Sequence, residues 1–328
     1  MAISGQFLTT LQTTLMPTYF EKRLFDFVRV NLQMYNLGQQ RAIPRNYGKI
    51  VWFNRPVPLP AQTAALTESL TPAQVQLSSE GVSGTVKTYG AWTARSELAG
   101  MSMVDINWMS DIFNYNSMQT IDTLIVNEFR ASASGVLSYD AMSATVSLLT
   151  GDKVRRAVTK LRSANVPGLF DANTKYALIA HPDTLYDLMS DTTTGGWQDI
   201  IKQSPLVQNE DLAVRGFIRD VFGARIFDST NVFVSATAAS ASAGISPSAY
   251  ANMVFGRDAY GVVQIQGPGS GNLANPQIIV KDVGSGGTED ALNQRATIGW
   301  KVLFTPLFLK TASDSVRGVT LWTQGTNF

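Results

Sequence analysis

The sequence predicts an α+β fold with a projecting β-ribbon, and three observations lead to it. Residues 104–132 place apolar side chains at helical spacing with no Gly or Pro to break the run. From residue 167 onward, short β-rich runs alternate with short helical ones. Two β-rich runs, 49–54 and 85–94, are joined by a long polar connection rich in Pro, Ala, Thr and Ser. A compact domain rarely carries such a connection unless it is functional or disordered. A two-stranded ribbon is also marginal in water when nothing covers it. The arm is therefore expected to project and to be stabilised by another surface.

In chain order, residues 18–35 read as an amphipathic helix, with Phe20, Leu24, Phe27, Val28, Leu32 and Tyr35 on one face. The run 49–54 is closed by Pro56, Pro58 and Pro60, which favour extended backbone outside a ladder. The helix at 104–132 can be capped by Asp105; its stripe is Trp108, Ile112, Tyr115, Ile121, Leu124, Ile125 and Phe129. At 1.5 Å per residue it would run roughly 40 Å. A second helix, 152–163, has a basic face of Lys153, Arg155, Arg156, Lys160 and Arg162, read as solvated rather than as a polyanion contact. Residues 176–180 are expected to form a buried strand and 182–190 a short helix. Further strands are expected at 221–228, 253–256, 260–266 and 278–283, with 236–250 a low-complexity loop. Residues 296–311 are expected to be extended and apolar, followed by a last strand at 316–322.

Composition narrows the chemistry. The chain has 328 residues, above the size at which one core usually stops growing. Charged residues make up 16%, against roughly 25% in a typical soluble domain. Charges mainly coat solvated surface, so much of this surface is expected to be covered by partners. A net charge of +1 argues against a strongly basic nucleic-acid binder. There is no cysteine and one histidine, which closes thiol chemistry and histidine-rich metal sites. The N-terminus does not read as a signal peptide, and the apolar stretch 298–309 is interrupted by Lys301 and Pro306. A soluble protein without a membrane partner is expected.

Catalytic motifs are missing. The run GPGSG at 267–271 lacks the third glycine of a dinucleotide loop, and Asn275–Pro276 interrupts any helix after it. GVSGT at 81–85 lacks the last glycine of a nucleophile elbow. Asp183 and Asp187 lie one helical turn apart, a spacing common on exposed helices. His181 precedes Pro182, which suits a first helical turn, so it reads as the hinge between a strand and a helix. No enzyme activity, catalytic residue, metal or cofactor is expected.

Six segments, taken in order, carry a resemblance: IPRNYGKIVWF, LTESLTP, YGAWTARSEL, YALIAHPDTLYDL, FGRDAYGVVQI and GGTEDALNQRATIGWK. Together they resemble tailed-phage major capsid proteins, in the branch typified by the coliphage N-four. That family commonly reads Gly-Lys/Arg-Asp-Ala-Tyr-Gly and then Asp-Pro-Leu-Asn-Gln through Gly-Trp-Lys; here Ala291 stands where the proline would be. The resemblance covers the chain from about residue 43 to the end. It implies the Hong Kong ninety-seven-like fold, divided as N-arm 1–46, E-loop 47–97, peripheral domain with spine helix 98–166, axial domain 167–295, and C-terminal strands 296–328 returning to the peripheral domain.

The resemblance further implies a shell of hexamers and pentamers around double-stranded DNA, assembled in the host cytoplasm and residing in the virion. It implies as partners other copies of the chain, a portal, scaffolding and decoration proteins, and DNA held without sequence readout. The inter-subunit contacts expected within the E-loop are Trp52, Phe53, Arg55, Lys87, Tyr89, Trp92 and Arg95. Lys49 and Lys87 lie in the ribbon, but no motif maps onto the covalent cross-link of some relatives. An encapsulin-type nanocompartment of the same fold is the alternative.

Overall fold

The computed structural model describes residues 33–44, 46–63, 65–66, 68, 74–98, 107–131, 136–139, 148–199, 220–235, 245–265, 276–285, 292, 294–312 and 316–326. The expected helix at 18–35 up to residue 32, the cap Asp105, the side chain of Trp108 and the GPGSG loop lie outside them. Among the described residues the strands form a five-stranded sheet, a seven-stranded sheet and a two-stranded ribbon.

A short helix α1 (Met34–Leu37) leads into β1 (Gln39–Ile43). The ribbon follows as β2 (Ile50–Pro56) and β3 (Ser79–Thr85), and then β4 (Lys87–Ser96). The run at 85–94 was expected to pair with 49–54, but β2 pairs with β3, from Ile50 opposite Thr85 to Pro56 opposite Ser79. β4 is a separate strand that lies along β13 (Arg295–Phe308). The break is Val86, which is buried and donates its N–H to the Lys49 carbonyl at 2.9 Å. Its burial ties the foot of the ribbon to Ile43 and Val263.

The long helix α2 (Asn107–Ala131) has 25 residues and lies within the expected 104–132, of which 104–106 and 132 fall outside the described residues. Only its second half is sealed: Ile121, Ile125, Val126 and Phe129 are buried, whereas Ile112 is exposed. After β5 (Val136–Tyr139) come α3 (Gly151–Ser163), β6 (Tyr176–Ala180) and α4 (Pro182–Met189), the last two where the sequence places them. The expected strand at 221–228 is a hairpin, β7 (Asp220–Val221) and β8 (Ala224–Asp228). Its two-residue turn holds Phe222 at φ 57° and Gly223 at φ 79°, the twist a tight hairpin needs. β9 is Val234–Ser235. β10 (Ile245–Phe255) then begins inside the stretch read as a low-complexity loop, because β14 (Gly318–Thr326) gives it a ladder that local composition cannot reveal.

β11 (Tyr260–Ile265) and β12 (Gln277–Lys281) cross the expected boundary at residue 295. Both are antiparallel to β13, in the five-stranded sheet with β1 and β4. β14, expected to stay with β13, pairs instead with β10 in the seven-stranded sheet, ordered β5-β14-β10-β6-β8-β7 with β9 also paired to β10. Pro306 fits inside β13 because β4 has already ended opposite Phe304, so no ladder on that side asks for its missing N–H.

Two cores result. Val154, Ala157, Val158 and Leu161 of α3 pack with Leu178, Leu188, Trp197 and Val254 on one face of the seven-stranded sheet. On the other face, Ala177, Ile179, Met253 and Phe255 join α2 and the five-stranded sheet in the larger core. β6 therefore reads as an unbroken buried run, since both its faces are covered. Phe129 sits at the junction, 5.3 Å from Phe308, 5.6 Å from Phe255 and 6.3 Å from Tyr260 between ring centroids. Phe129→Ala is expected to destabilise the unassembled chain by about 3–5 kcal/mol, measured by denaturant unfolding. A loss below about 1 kcal/mol would show that the two sheets do not depend on this ring.

Candidate inter-subunit interface

The ribbon's alternation decides which side chains can meet a partner. Successive residues of a strand point to opposite faces. In β2, Val51, Phe53 and Arg55 are half-buried, while Ile50, Trp52, Asn54 and Pro56 are exposed. The inner row docks on the chain's own body: the Phe53 ring lies where a Cβ on Gly261 would stand, 2.7 Å away. Gly84 of β3 lies over Leu307 in the same way, at 3.4 Å. The outer row has no cover within the chain among the described residues, and Trp52 keeps 65% of its surface in solvent.

Beyond the ribbon's paired part, residues 57–78 form no regular element where described, and Leu59, Leu66, Val75 and Leu77 are exposed. The foot of the ribbon is therefore held by its own chain, while its outer face has no cover among the described residues.

The seven expected contact residues divide accordingly. Trp52, Lys87 and Trp92 face outward, Trp92 with 72% of its surface exposed. Phe53 packs toward Ile43 and Val263, and Tyr89 packs against the larger core. Arg55 turns toward a polar hollow lined with Arg41, Asp258 and Thr311. Burial there lowers its pKa, partly offset by the Asp258 carboxylate. Arg95 is half-buried, and its Nη1 is sealed from solvent without a hydrogen-bond acceptor.

Sequence reasoning passed over β12. A strand was expected at 278–283, with no contact role for its side chains, yet Ile278, Ile279 and Val280 are all exposed, Val280 by 60%. An uncovered apolar edge strand is a ready surface for association. The signal was present in principle: three consecutive apolar residues fit a strand buried on both faces, and among the described residues all three stay exposed.

The other candidate groups are structural. His181 is the N-cap of α4: its Nδ1 accepts the Asp183 N–H at 3.3 Å, and its ring stacks on Tyr250 at 4.4 Å. The Tyr250 hydroxyl in turn donates to Asp183 at 2.8 Å. Asp187 accepts both the N–H and the hydroxyl of Thr326, tying the end of β14 to α4. Burial raises the Asp187 pKa, and its hydrogen bonds to Thr326 work against that rise. Asn252, fully buried, accepts from the His181 N–H at 3.1 Å and donates to Thr323 at 2.8 Å. Asp183 and Asp187 thus serve as anchors. Part of the basic face of α3 is also engaged: Arg156 pairs with Asp152 at 2.8 Å, and Lys153 donates to the Leu148 carbonyl at 2.7 Å. Among the described residues, no three His, Asp or Glu side chains converge as a metal site requires.

The motif segments also resolve into packing contacts. In FGRDAYG, Asp258 makes the turn at φ 56°, Ala259 and Tyr260 are buried, and Gly261 leaves room for Phe53. In GWK, a Cβ on Gly299 would lie 2.7 Å from that of Trp92, and the Trp300 indole N–H donates to Asn116 of α2 at 3.1 Å.

With this architecture in place, the chain can be set beside solved structures. It is similar to the capsid of Ralstonia phage GP4, with a TM-score of 0.68 at 12% identity over 96% of each chain. It is similar to the head structure of Helicobacter pylori bacteriophage KHP40, with a TM-score of 0.67 at 8% identity over 94% of this chain and 96% of that one. The capsid of cyanophage P-SCSP1u gives 0.63 at 14% identity over 96% and 95%. The fold is that of phage capsid proteins. No protein-family model and no curated protein sequence matches the chain. The capsid fold extends over nearly the whole length, so the ribbon and both sheets belong to it.

One consequence is a pH dependence. His181 must be neutral at Nδ1 to cap α4, and burial lowers its pKa from the ordinary 6.5, with Asp183 opposing the shift. A folded value below the unfolded one means the contribution is complete above about pH 6.5 and is lost as pH falls through the folded value. The stability of the unassembled chain between pH 7 and 5 should therefore fall more for the wild type than for His181→Asn, whose side chain caps without titrating. Equal slopes in denaturant unfolding would refute the assignment.

Proposed function

We propose that this chain is the major shell subunit of a tailed-phage head, in the branch typified by N-four. Copies assemble as hexamers and pentamers into an icosahedral shell around double-stranded DNA, in the host cytoplasm. The chain then resides in the virion and meets the portal and any scaffolding or decoration protein. In Hong Kong ninety-seven-like terms, residues 1–46 are the N-arm and 47–97 the E-loop. The spine helix α2 with β11, β12 and β13 is the peripheral domain, to whose sheet the N-arm adds β1 and the E-loop adds β4, and the seven-stranded sheet with α3 and α4 is the axial domain.

The observation that carries this reading is an apolar outer surface left uncovered among the described residues, on a fold shared with capsids along almost its whole length. Trp52, Leu66, Leu77, Trp92 and Val280 all stand in solvent. Obligate interfaces often bury 2,000–5,000 Å². At ~25 cal/mol per Å² the gross driving force is tens of kcal/mol, above association costs of ~4–15 kcal/mol and loop ordering. A net charge of +1 suits a wall around DNA whose charge is balanced by counterions rather than by the protein.

Electron microscopy of the expressed chain, alone and with the proteins encoded beside it, tests the proposal. Closed polyhedral particles are expected. A stable monomer under every condition would overturn it. Trp52→Glu should lower particle yield about tenfold or more, since an interface tryptophan is commonly worth ~2 kcal/mol, and should leave the unfolding midpoint of the free subunit unchanged.

A further inference from the structure

The polar hollow beside the foot of the ribbon has a volume of 360 Å³. β1 and the turn before β11 line one side of it, and β2 lines the other. Arg41 belongs to β1 and Arg55 to β2. These strands are held by different ladders, β1 by β11 and β2 by β3, so the two guanidiniums are brought to one hollow independently. Phe53 over Gly261 and the bond from Val86 to Lys49 fix the ribbon's foot, so the walls are set before any guest arrives. Asp258, held in its turn at φ 56°, is the one carboxylate in the lining.

Two cations against one carboxylate leave the lining with one positive charge in excess. Like charges repel more strongly where water is partly excluded. It is partly excluded here, since burial lowers the Arg55 pKa and Asp258 restores only part of the loss. Glu80 stands opposite Arg55 in the ribbon ladder but lies outside the lining, and among the described residues Arg41 makes no ion pair. Pockets for apolar guests are lined mainly by apolar groups; this one offers Gln39 and Thr311 beside its charges, which suits a small hydrated anion. Each guanidinium presents five N–H donors in a fork that matches oxyanions. Forks on opposite walls need oxygens directed both ways, which a tetrahedral anion has and a single planar carboxylate does not.

We propose that this hollow is a binding site for a small tetrahedral oxyanion of the phosphate class, bridged between the guanidiniums of Arg41 and Arg55. The anion cancels the repulsion between them and joins a strand of the five-stranded sheet to the ribbon. Its occupancy sets how firmly the ribbon's foot is held on the body. The site lies within one chain, so the inference stands apart from the shell reading.

Thermal unfolding of the unassembled full-length chain in sodium phosphate and in sodium chloride, at one pH and matched ionic strength, tests the site. Phosphate should raise the midpoint by about 2 °C at ten times its dissociation constant, and calorimetric titration should saturate at one ion per chain. Arg41→Gln should weaken phosphate binding at least tenfold. Arg156→Gln, which removes a surface cation from α3, should leave it unchanged. Equal midpoints in the two salts, or a phosphate effect that Arg41→Gln retains, would overturn the proposal. If Arg41→Gln does not fold, Arg41→Lys decides, because it keeps the charge and loses the fork. At least threefold weaker binding is then expected, and unchanged affinity overturns the bridge. A short DNA duplex at the same phosphate concentration separates a free ion from a nucleic-acid phosphate. It should give no shift that depends on Arg41; such a shift, with none from free phosphate, would overturn the free-ion assignment. Particle formation enters none of these measurements, so the shell reading survives or fails separately.

Discussion

The structure depends on one shared aromatic contact. Phe129, near the end of α2, touches Phe255 of the seven-stranded sheet and both Tyr260 and Phe308 of the five-stranded one. Gly318 at the start of β14 makes room for it, since a Cβ there would come within 2.4 Å of the ring. Edge-on aromatic pairs of this kind add roughly 0.5–1.5 kcal/mol each beyond the area they bury. The helix is thus more than a strut on one sheet; its last turns are where two separately hydrogen-bonded layers become one body. Trp300, bonded to Asn116 more than three turns up the same helix, fixes the second point of contact.

Local signals were legible where local physics decides. The run 176–190 gave β6 and α4 at the expected residues because a β-rich segment, a proline at the first helical position and a capping side chain all act within a few positions. The long helix was equally plain from its unbroken stripe, although that stripe does not say which half is sealed. Pairing partners were not legible. β3 reads SEGVSGT, with little strand propensity of its own, and stays extended because β2 offers it a ladder. The sheet membership of β11, β12 and β14 depends on contacts across long stretches of chain, to which periodicity is blind.

The proposed interface was half legible for a related reason. Alternation along β2 and β4 says that Trp52 and Phe53, or Tyr89 and Trp92, differ in facing. It does not say which face the chain keeps for itself, and here Phe53 and Tyr89 are kept. Hydropathy likewise reports that Ile278, Ile279 and Val280 want cover without saying whose. The glycines and aromatics of the motif segments turn out to be sites of close approach, Gly261 under Phe53 and Gly299 against Trp92. A fold held by a few such constraints can persist while most other positions drift, in keeping with structural likeness at 8–14% identity.

Asp122 gives the N-terminal approach to this body its mechanical character. It is 1% exposed, and its carboxylate accepts the Met34 N–H at 2.8 Å and the Asn231 side-chain amide at 2.9 Å. A bond from the Tyr35 N–H joins them, although burial still holds the acid's pKa above its ordinary value. One buried carboxyl group on α2 therefore closes the first turn of α1 and grips the loop before β9 at the same time. Tension applied to the strand of chain entering at residue 33 cannot be absorbed there by slack; it is delivered at once to the long helix and to the far sheet, as a rope made fast to a cleat loads the whole deck.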